Sequence, residues 1–343
     1  MNIMRRSLAI CMLVLSLLIS GCAPGQLFGP ARFISISVGN ISGCVLTSSG
    51  GVKCWGMNLQ MISDIHTGVE ATGTAIGGSA LADVSEFPNG VSAIAVGSEH
   101  VCALIAGGGV KCWGLNPNGQ LGDGTLTSHH KPEYVSGLTS GVSAITAGYD
   151  YNCVLTVGGG VKCWGDNQDG QLGDGTRTNR RMPVDVSGLT SGVSAIAAGD
   201  NQTCALTAGG GVKCWGNNSV GQLGDGTTTS HPTPVDVIGL TSGVKAIAVG
   251  AYNVCALTLG GGVKCWGIND EGAVGDGTTT NRLTPVDVSG LTRGVSAIDS
   301  GITAWYCALT AGNRIKCWGS NYYGRLGDGT ITTRLTPVDV VIP

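Results

Sequence analysis

The sequence predicts an all-β protein, closed into a ring of six four-stranded units, on three observations. One hairpin phrase occurs six times, most clearly as Cys204-Ala-Leu-Thr-Ala-Gly-Gly-Gly-Val-Lys-Cys-Trp-Gly216. The tryptophans that end it (Trp55, Trp113, Trp164, Trp215, Trp266 and Trp318) are 58, 51, 51, 51 and 52 residues apart, a spacing that marks a repeat architecture. Between them lie short apolar runs punctuated by Gly and Pro, with no helix-length period of 3.6 residues.

The first residues read as a targeting segment. Arg5 and Arg6 precede an apolar run from Leu8 to Ile19. That run is shorter than the roughly 20 residues a spanning helix needs and fits a signal peptide over 1–21. Leu18-Ile19-Ser20-Gly21-Cys22 resembles a bacterial lipoprotein box. The resemblance implies that Cys22 is lipidated with palmitate-type chains, that residues 22–31 are a short tether, and that the membrane is a partner. It also implies an exported protein at the bacterial outer membrane or cell surface. Residues 32–343 are then one repeat domain.

Each unit parses into four strands. In the middle of the chain, Pro183-Val-Asp-Val186 is a short strand, Val193 to Ala198 a second, and Cys204 to Thr207 with Val212 to Trp215 the hairpin. A long turn carrying Gly-Gln-Leu-Gly-Asp-Gly-Thr then leads to the next Pro-Val-Asp-Val. Counted this way, the first unit lacks its opening strand and Pro337-Val-Asp-Val340 has no successor. The expectation is that the C-terminal strand completes the first unit, which leaves no open sheet edge.

Composition narrows the function. Charged residues are 12% of the chain, against about 25% in ordinary globular proteins. A net charge of −3 with no long basic run argues against nucleic acid as a partner. Once Cys11 is removed with the signal and Cys22 is lipidated, twelve cysteines remain in six equivalent pairs: Cys44/Cys54, Cys102/Cys112, Cys153/Cys163, Cys204/Cys214, Cys255/Cys265 and Cys307/Cys317. Folding the hairpin about Gly209 sets Cys204 opposite Cys214, within reach of a disulfide. Metal is disfavoured because the pairs lack Cys-x₂-Cys spacing and further ligands. No metal or other cofactor is expected.

The phrase from Gly199 to Gly224, with its Cys-Ala-Leu-Thr and Gly-Gln-Leu-Gly segments, resembles the regulator of chromosome condensation repeat family. The resemblance covers Phe33 to the C-terminus. It implies a β-propeller of repeats about 50 residues long; the family's best-known members have seven blades, the alternative to the six counted here. The paired cysteines depart from the usual eukaryotic pattern.

The remaining motifs read as structure. The repeated Trp faces away from the cysteines and packs between units. The Gly-Asp-Gly-Thr aspartates (Asp123, Asp174, Asp225, Asp276 and Asp328) offer one carboxylate per loop, too few for Ca²⁺, and suit a self-bonded turn. The five histidines are read as sharing no repeat position, and no nucleophile motif accompanies them, so no catalytic residue is expected and the chain is not read as an enzyme.

Function therefore falls to what varies. The loops before the first cysteine of each hairpin differ, and they supply the candidate binding residues Tyr149, Asp150, Tyr151, Asp200, Asn201, Tyr252, Asn253, Trp305 and Tyr306. The leading expectation is a monomeric cell-envelope lipoprotein that binds an unknown protein or glycan through these rim loops. The alternatives are a guanine nucleotide exchange factor-like regulator of a GTPase, which the family resemblance implies, and a protein inhibitor of an enzyme.

Overall fold

A computed structural model describes residues 32–39, 42–56, 81–301 and 303–341. Within them the chain forms six four-stranded antiparallel sheets, each made of consecutive strands in the order first, second, third, fourth. The sheets are the blades of a six-bladed propeller. Blade 4 is representative, with strands Val193–Ala198, Gln202–Thr207, Val212–Gly216 and His231–Asp236. The first strands of all six blades line a common central cavity of about 670 Å³.

This topology corrects the expected closure. The C-terminal strand, Arg334–Asp339, pairs with Ile315–Gly319 of its own hairpin, setting Val338 opposite Cys317. The first blade has its own fourth strand, Ala82–Asp83, with Ala82 opposite Cys54. No sheet among the described residues combines strands from the two ends of the chain. Pro-Val-Asp-Val does not open a blade but closes the one before it. The physical reason lies, in blades 2 to 6, in the long turn after Trp-Gly, which folds back on itself and returns the chain to the strand it left. Lys213 and Asp236 then stand opposite each other and pair at 2.7 Å. The same Lys–Asp pair recurs in blades 1, 3, 5 and 6, while in blade 2 Lys111 lies 4.6 Å from the centre of the Tyr134 ring.

Strand alternation decides the core. Cys204, Leu206, Val212 and Cys214 share one face of blade 4 and pack on Val254, Ala256 and Trp266 of blade 5. Disulfides join Cys44 to Cys54, Cys102 to Cys112, Cys153 to Cys163, Cys204 to Cys214, Cys255 to Cys265 and Cys307 to Cys317, each across a Cα–Cα distance of 4.1 Å. Trp266 is fully buried, and its indole N–H donates to the carbonyl of Gln222 in the preceding blade at 3.0 Å. Trp164 and Trp215 make the same bond to Gln120 and Gln171, both at 2.9 Å. The glycine after that Gln-Leu pair is required twice over. Gly224 has φ +71°, and a Cβ there would meet Trp266 Nε1 at 2.7 Å.

Blade-to-blade contact follows chain order. Among the described residues, no hydrogen bond joins blade 6 to blade 1. The faces that end the series are less covered than their equivalents: Trp55 in blade 1 and Leu309 in blade 6 are half-buried, where Trp215 and Leu257 are at 0% exposure.

Candidate functional site

The loops between first and second strands of blades 2 to 6 converge at one end of the central cavity. Main-chain bonds join those of blades 2, 3 and 4 in a row. The Ser98 N–H donates to the Tyr149 carbonyl at 2.8 Å, and the Tyr149 N–H to the Asp200 carbonyl at 3.1 Å. Glycines that end the first strands permit this closeness. A Cβ on Gly199 would collide with the Gly250 carbonyl oxygen of the next blade, without any unusual φ.

The nine candidate binding residues divide by where their side chains go. Tyr151 and Tyr306 are fully buried and Asn253 is 1% exposed. These three belong to a polar chain linking successive blades. His100 Nε2 bonds Asn152 Oδ1 at 3.0 Å, Tyr151 donates to the Gln202 carbonyl at 2.6 Å, and Tyr306 donates to Asn253 Oδ1 at 2.7 Å. Burial pushes both tyrosine hydroxyls far above their ordinary range and His100 down to about 4, so these groups stay neutral. Tyr149 and Tyr252 are 45% and 39% exposed. Asp150, Asp200, Asn201 and Trp305 are half-buried. Tyr149, Asp200, Tyr252 and Asn253 line the cavity mouth, where Thr303 and Ala304 stand beside Trp305 in the sixth loop.

The cysteines singled out in the sequence take no part in this site. None of them lines the cavity. Their bridges sit on the middle strands of each blade, one strand out from the cavity wall, and pack between blades. Cys102 and Cys112 of blade 2 lie in one apolar cluster with Trp164 of blade 3. Cys153 and Cys163 of blade 3 lie with Trp215 of blade 4, and Cys255 and Cys265 of blade 5 with Trp318 of blade 6. A bridge so placed fixes the two strands that carry the loop and offers nothing to a ligand. Cys44, Cys54, Cys307 and Cys317 occupy the same strand positions in blades 1 and 6.

A second set of loops, following Trp-Gly in blades 2 to 6, reaches the same end as the binding loops. Asp270 and Glu271 of blade 5 line the mouth. In blade 3, Asp166 and Asp169 belong to the same turn; the Asp166 N–H donates to the Asp150 carbonyl at 3.0 Å. Sequence reasoning passed over these residues and Glu99. Their signal was available: carboxylates at loop positions where other repeats carry neutral residues. Asp150 shows their effect. Burial, then repulsion from Glu99 and Asp166, pushes its carboxyl up to about 6, although Asn118 donates to it at 3.2 Å. Burial likewise raises Asp200.

The Gly-Asp-Gly-Thr aspartates lie elsewhere and are fully engaged. Asp225 Oδ1 accepts from the Thr227 N–H and hydroxyl, both at 2.9 Å, and its Oδ2 pairs with His231 at 3.1 Å. His129 meets Asp123 at 2.9 Å in the same way. Arg180, Arg282 and Arg334 fill that position in blades 3, 5 and 6. His129 and His231 therefore do share a repeat position, sixteen residues after the tryptophan, which corrects the reading of scattered histidines.

Residues 21–342 match the model of the RCC1-like domain. The chain belongs to that family. It is accordingly a non-catalytic propeller. It is 34% identical over 251 residues to the human E3 ubiquitin-protein ligase HERC2, covering 71% of this chain and 5% of the ligase. It is 30% identical over 261 residues to the ultraviolet-B receptor UVR8 of Arabidopsis thaliana, covering 74% of this chain and 59% of the receptor. The chain thus spans less than two thirds of these relatives. Among solved structures, human WBSCR16 superposes with a TM-score of 0.77 at 25% identity, covering 92% of this chain and 84% of that one. Yeast RCC1 (Prp20), in a structure with Kap60 bound, superposes with a TM-score of 0.76 at 21% identity, covering 90% and 75%, and supports the fold.

These relatives come from human, plant and yeast, and none is named for a cell envelope. On that finding we withdraw the expectation of a bacterial exported lipoprotein, with its palmitate on Cys22, its membrane partner and its outer-membrane address. The signal peptide and tether over 1–31 lie outside the described residues.

Proposed function

We propose that the chain is a protein-binding propeller that regulates a GTPase-type partner, which it holds on the loop face at the mouth of the central cavity. The observation that carries this reading is the convergence of the variable loops on one end of a disulfide-clamped scaffold. There Tyr149 and Tyr252 stand exposed above a ring of buried latches. Exposed aromatics on rigid loops are the usual anchors of protein interfaces. The regulatory half of the reading draws on the family. Yeast Prp20p has been studied for its binding to Gsp1p and histones, and the family resemblance of the repeat phrase implies nucleotide exchange on a GTPase.

The test is capture of partners from a lysate by the immobilised chain, followed by release of fluorescent GDP from any GTPase recovered. Tyr149→Ala/Tyr252→Ala should lose the partner and the accelerated release. Val157→Ser, at an exposed hairpin turn, should keep both. Capture that ignores the tyrosines, or a captured GTPase whose GDP release is unchanged, overturns the corresponding half.

A further inference from the structure

Two groups of acidic side chains in this propeller differ in how they are paired. The aspartates of the fourth strands and of the Gly-Asp-Gly-Thr turns are ion-paired, each to a Lys, Arg or His of its own blade. The acids at the cavity mouth are not. Asp200, Asp270 and Glu271 line that mouth, and in the adjoining loops Glu99 and Asp166 both act on Asp150 across the boundary of blades 2 and 3. Asp169 and Asp200 both act on Tyr252, one blade further round. Among the described residues none of these carboxylates forms a salt bridge. The arginines of the neighbouring turns do not supply one. Arg177 bonds the carbonyls of Gln168 and Ser230 at 3.3 and 3.1 Å, and Arg325 bonds that of Tyr322 at 2.8 Å. His100, the remaining basic group at this end, is buried and neutral.

A concentration of unpaired carboxylates around a low-dielectric cavity focuses a negative potential at its mouth. Partly buried like charges oppose folding, so a scaffold that pairs its other carboxylates so regularly has left these open to something outside itself. The cavity also offers a hydrogen bond that nothing in the chain completes. Asn253, 1% exposed and lining the wall, has no partner for its Nδ2 donor. Buried amides are rarely left unpaired. An open amide donor matches a carbonyl of a polypeptide main chain, and the carboxylates around it match cationic side chains.

We propose that the cavity mouth is a socket for a lysine- and arginine-bearing extended segment of a protein partner. The proposal rests on the loop face being the binding face. The partner's charges replace the counter-ions that the propeller lacks, and its main chain meets Asn253.

The test uses the full chain and three fluorescein-labelled twelve-residue peptides, one rich in Lys and Arg, one in Asp and Glu, and one of Gly and Ser, read by fluorescence anisotropy. The basic peptide should bind at least tenfold more tightly than the others and weaken as NaCl rises from 50 to 300 mM. Asp200→Asn/Asp270→Asn/Glu271→Gln should cost tenfold or more. Asp185→Asn/Asp236→Asn, which removes as many carboxylates as two of these from ion-paired positions, should leave binding unchanged. Equal binding of the three peptides, or equal loss in the two sets of variants, overturns the socket. The outcome is separable from that of the loop-face reading. If partner capture depends on Tyr149 and Tyr252 but the basic peptide does not bind, the socket fails and the binding face stands. If the peptide binds through the carboxylates while capture ignores the tyrosines, the reverse holds.

Discussion

Asn218→Ala tests the device that sets the topology. Asn218 is fully buried in the turn after Trp215. Its Nδ2 donates to the carbonyls of Thr227 and Thr229 at 3.1 and 3.0 Å and to Asp225 Oδ1 at 3.1 Å, while its Oδ1 accepts from the Leu223 N–H at 2.9 Å. One side chain thus holds both ends of the turn, and Asn116, Asn167, Asn269 and Asn321 do the same in other blades. Truncation strands the Leu223 N–H where water cannot reach, at about 1–3 kcal/mol. The Thr227 and Thr229 carbonyls belong to exposed residues and rehydrate, so each loses only about 0.5–1 kcal/mol net. The sum is about 3 kcal/mol, which for a body of this size lowers Tm by about 5 °C. Thermal unfolding should show that drop, and hydrogen exchange over 217–231 should quicken. The exposed Thr228→Ala serves as the control and should stay within about 0.5 kcal/mol. If Asn218→Ala melts with the control, the turn is held by something else and our account of why the fourth strand returns to its own blade is wrong.

Gly199→Ala should destabilise by about 1–3 kcal/mol, because its methyl meets the Gly250 carbonyl, while Gly209→Ala, whose Cβ finds only Thr207 Oγ1 at 3.9 Å, should be nearly neutral in urea unfolding. Mild reduction followed by alkylation and mass spectrometry should open Cys44–Cys54 and Cys307–Cys317 first, since Cys54 and Cys307 are only half-buried and the cysteines of the other four bridges are sealed at 0%; simultaneous opening of all six would refute the uneven burial. The Asp150 carboxyl, raised from 3.8 to about 6, keeps its proton in the folded state after the unfolded chain has lost it. Its contribution to stability is therefore lost as pH rises through that window. Asp150→Asn should melt above wild type at pH 7 and level with it at pH 4, and an unchanged difference across that range would refute the assignment. Asp328, which burial alone would raise, is held at about 2 by bonds from Arg334 and Thr330. Asp328→Asn should cost stability at pH 7, and the wild type should lose that advantage as pH falls from 4 towards 2.

The hairpin was legible because its signals are local and repeated. Strand alternation placed Cys204 beside Cys214 and Trp215 on the opposite face, as the structure has them. The order of strands within a blade was not. Pro-Val-Asp-Val reads equally well as the first strand of one unit or the last of another. The deciding contacts, Lys213 with Asp236 and Asn218 with Thr229, cross a turn whose fold is set by one side chain and not by any period. The shared position of His129 and His231 was hidden by chemistry, because Arg occupies it elsewhere and only the carboxylate they bind makes them equivalent. In the loops, exposure could not be read from residue type. Tyr149 and Tyr151 are two positions apart, yet one is free to meet a partner and the other latches blade 3 to blade 4.

Disulfides within blades and the absence of a shared sheet have a joint consequence. Each bridge closes a loop of ten residues inside one hairpin, so none transmits a covalent link from blade to blade. Cohesion around the cavity falls instead to the indole-to-carbonyl bonds, the apolar faces and the latches at Tyr151 and Tyr306. Such a molecule resembles a repeat array, whose stability is a sum of unit and nearest-neighbour terms. Interior blades have two such interfaces, while among the described residues blades 1 and 6 have one each. The loop face rests mainly on the interior blades. Tyr149, Asp150, Asp200 and Tyr252 all lie in blades 3 to 5, where Trp164, Trp215 and Trp266 are sealed. The surface proposed to meet a partner is thus carried by the most constrained part of the ring, which is where a binding site loses least to the ordering of its own loops.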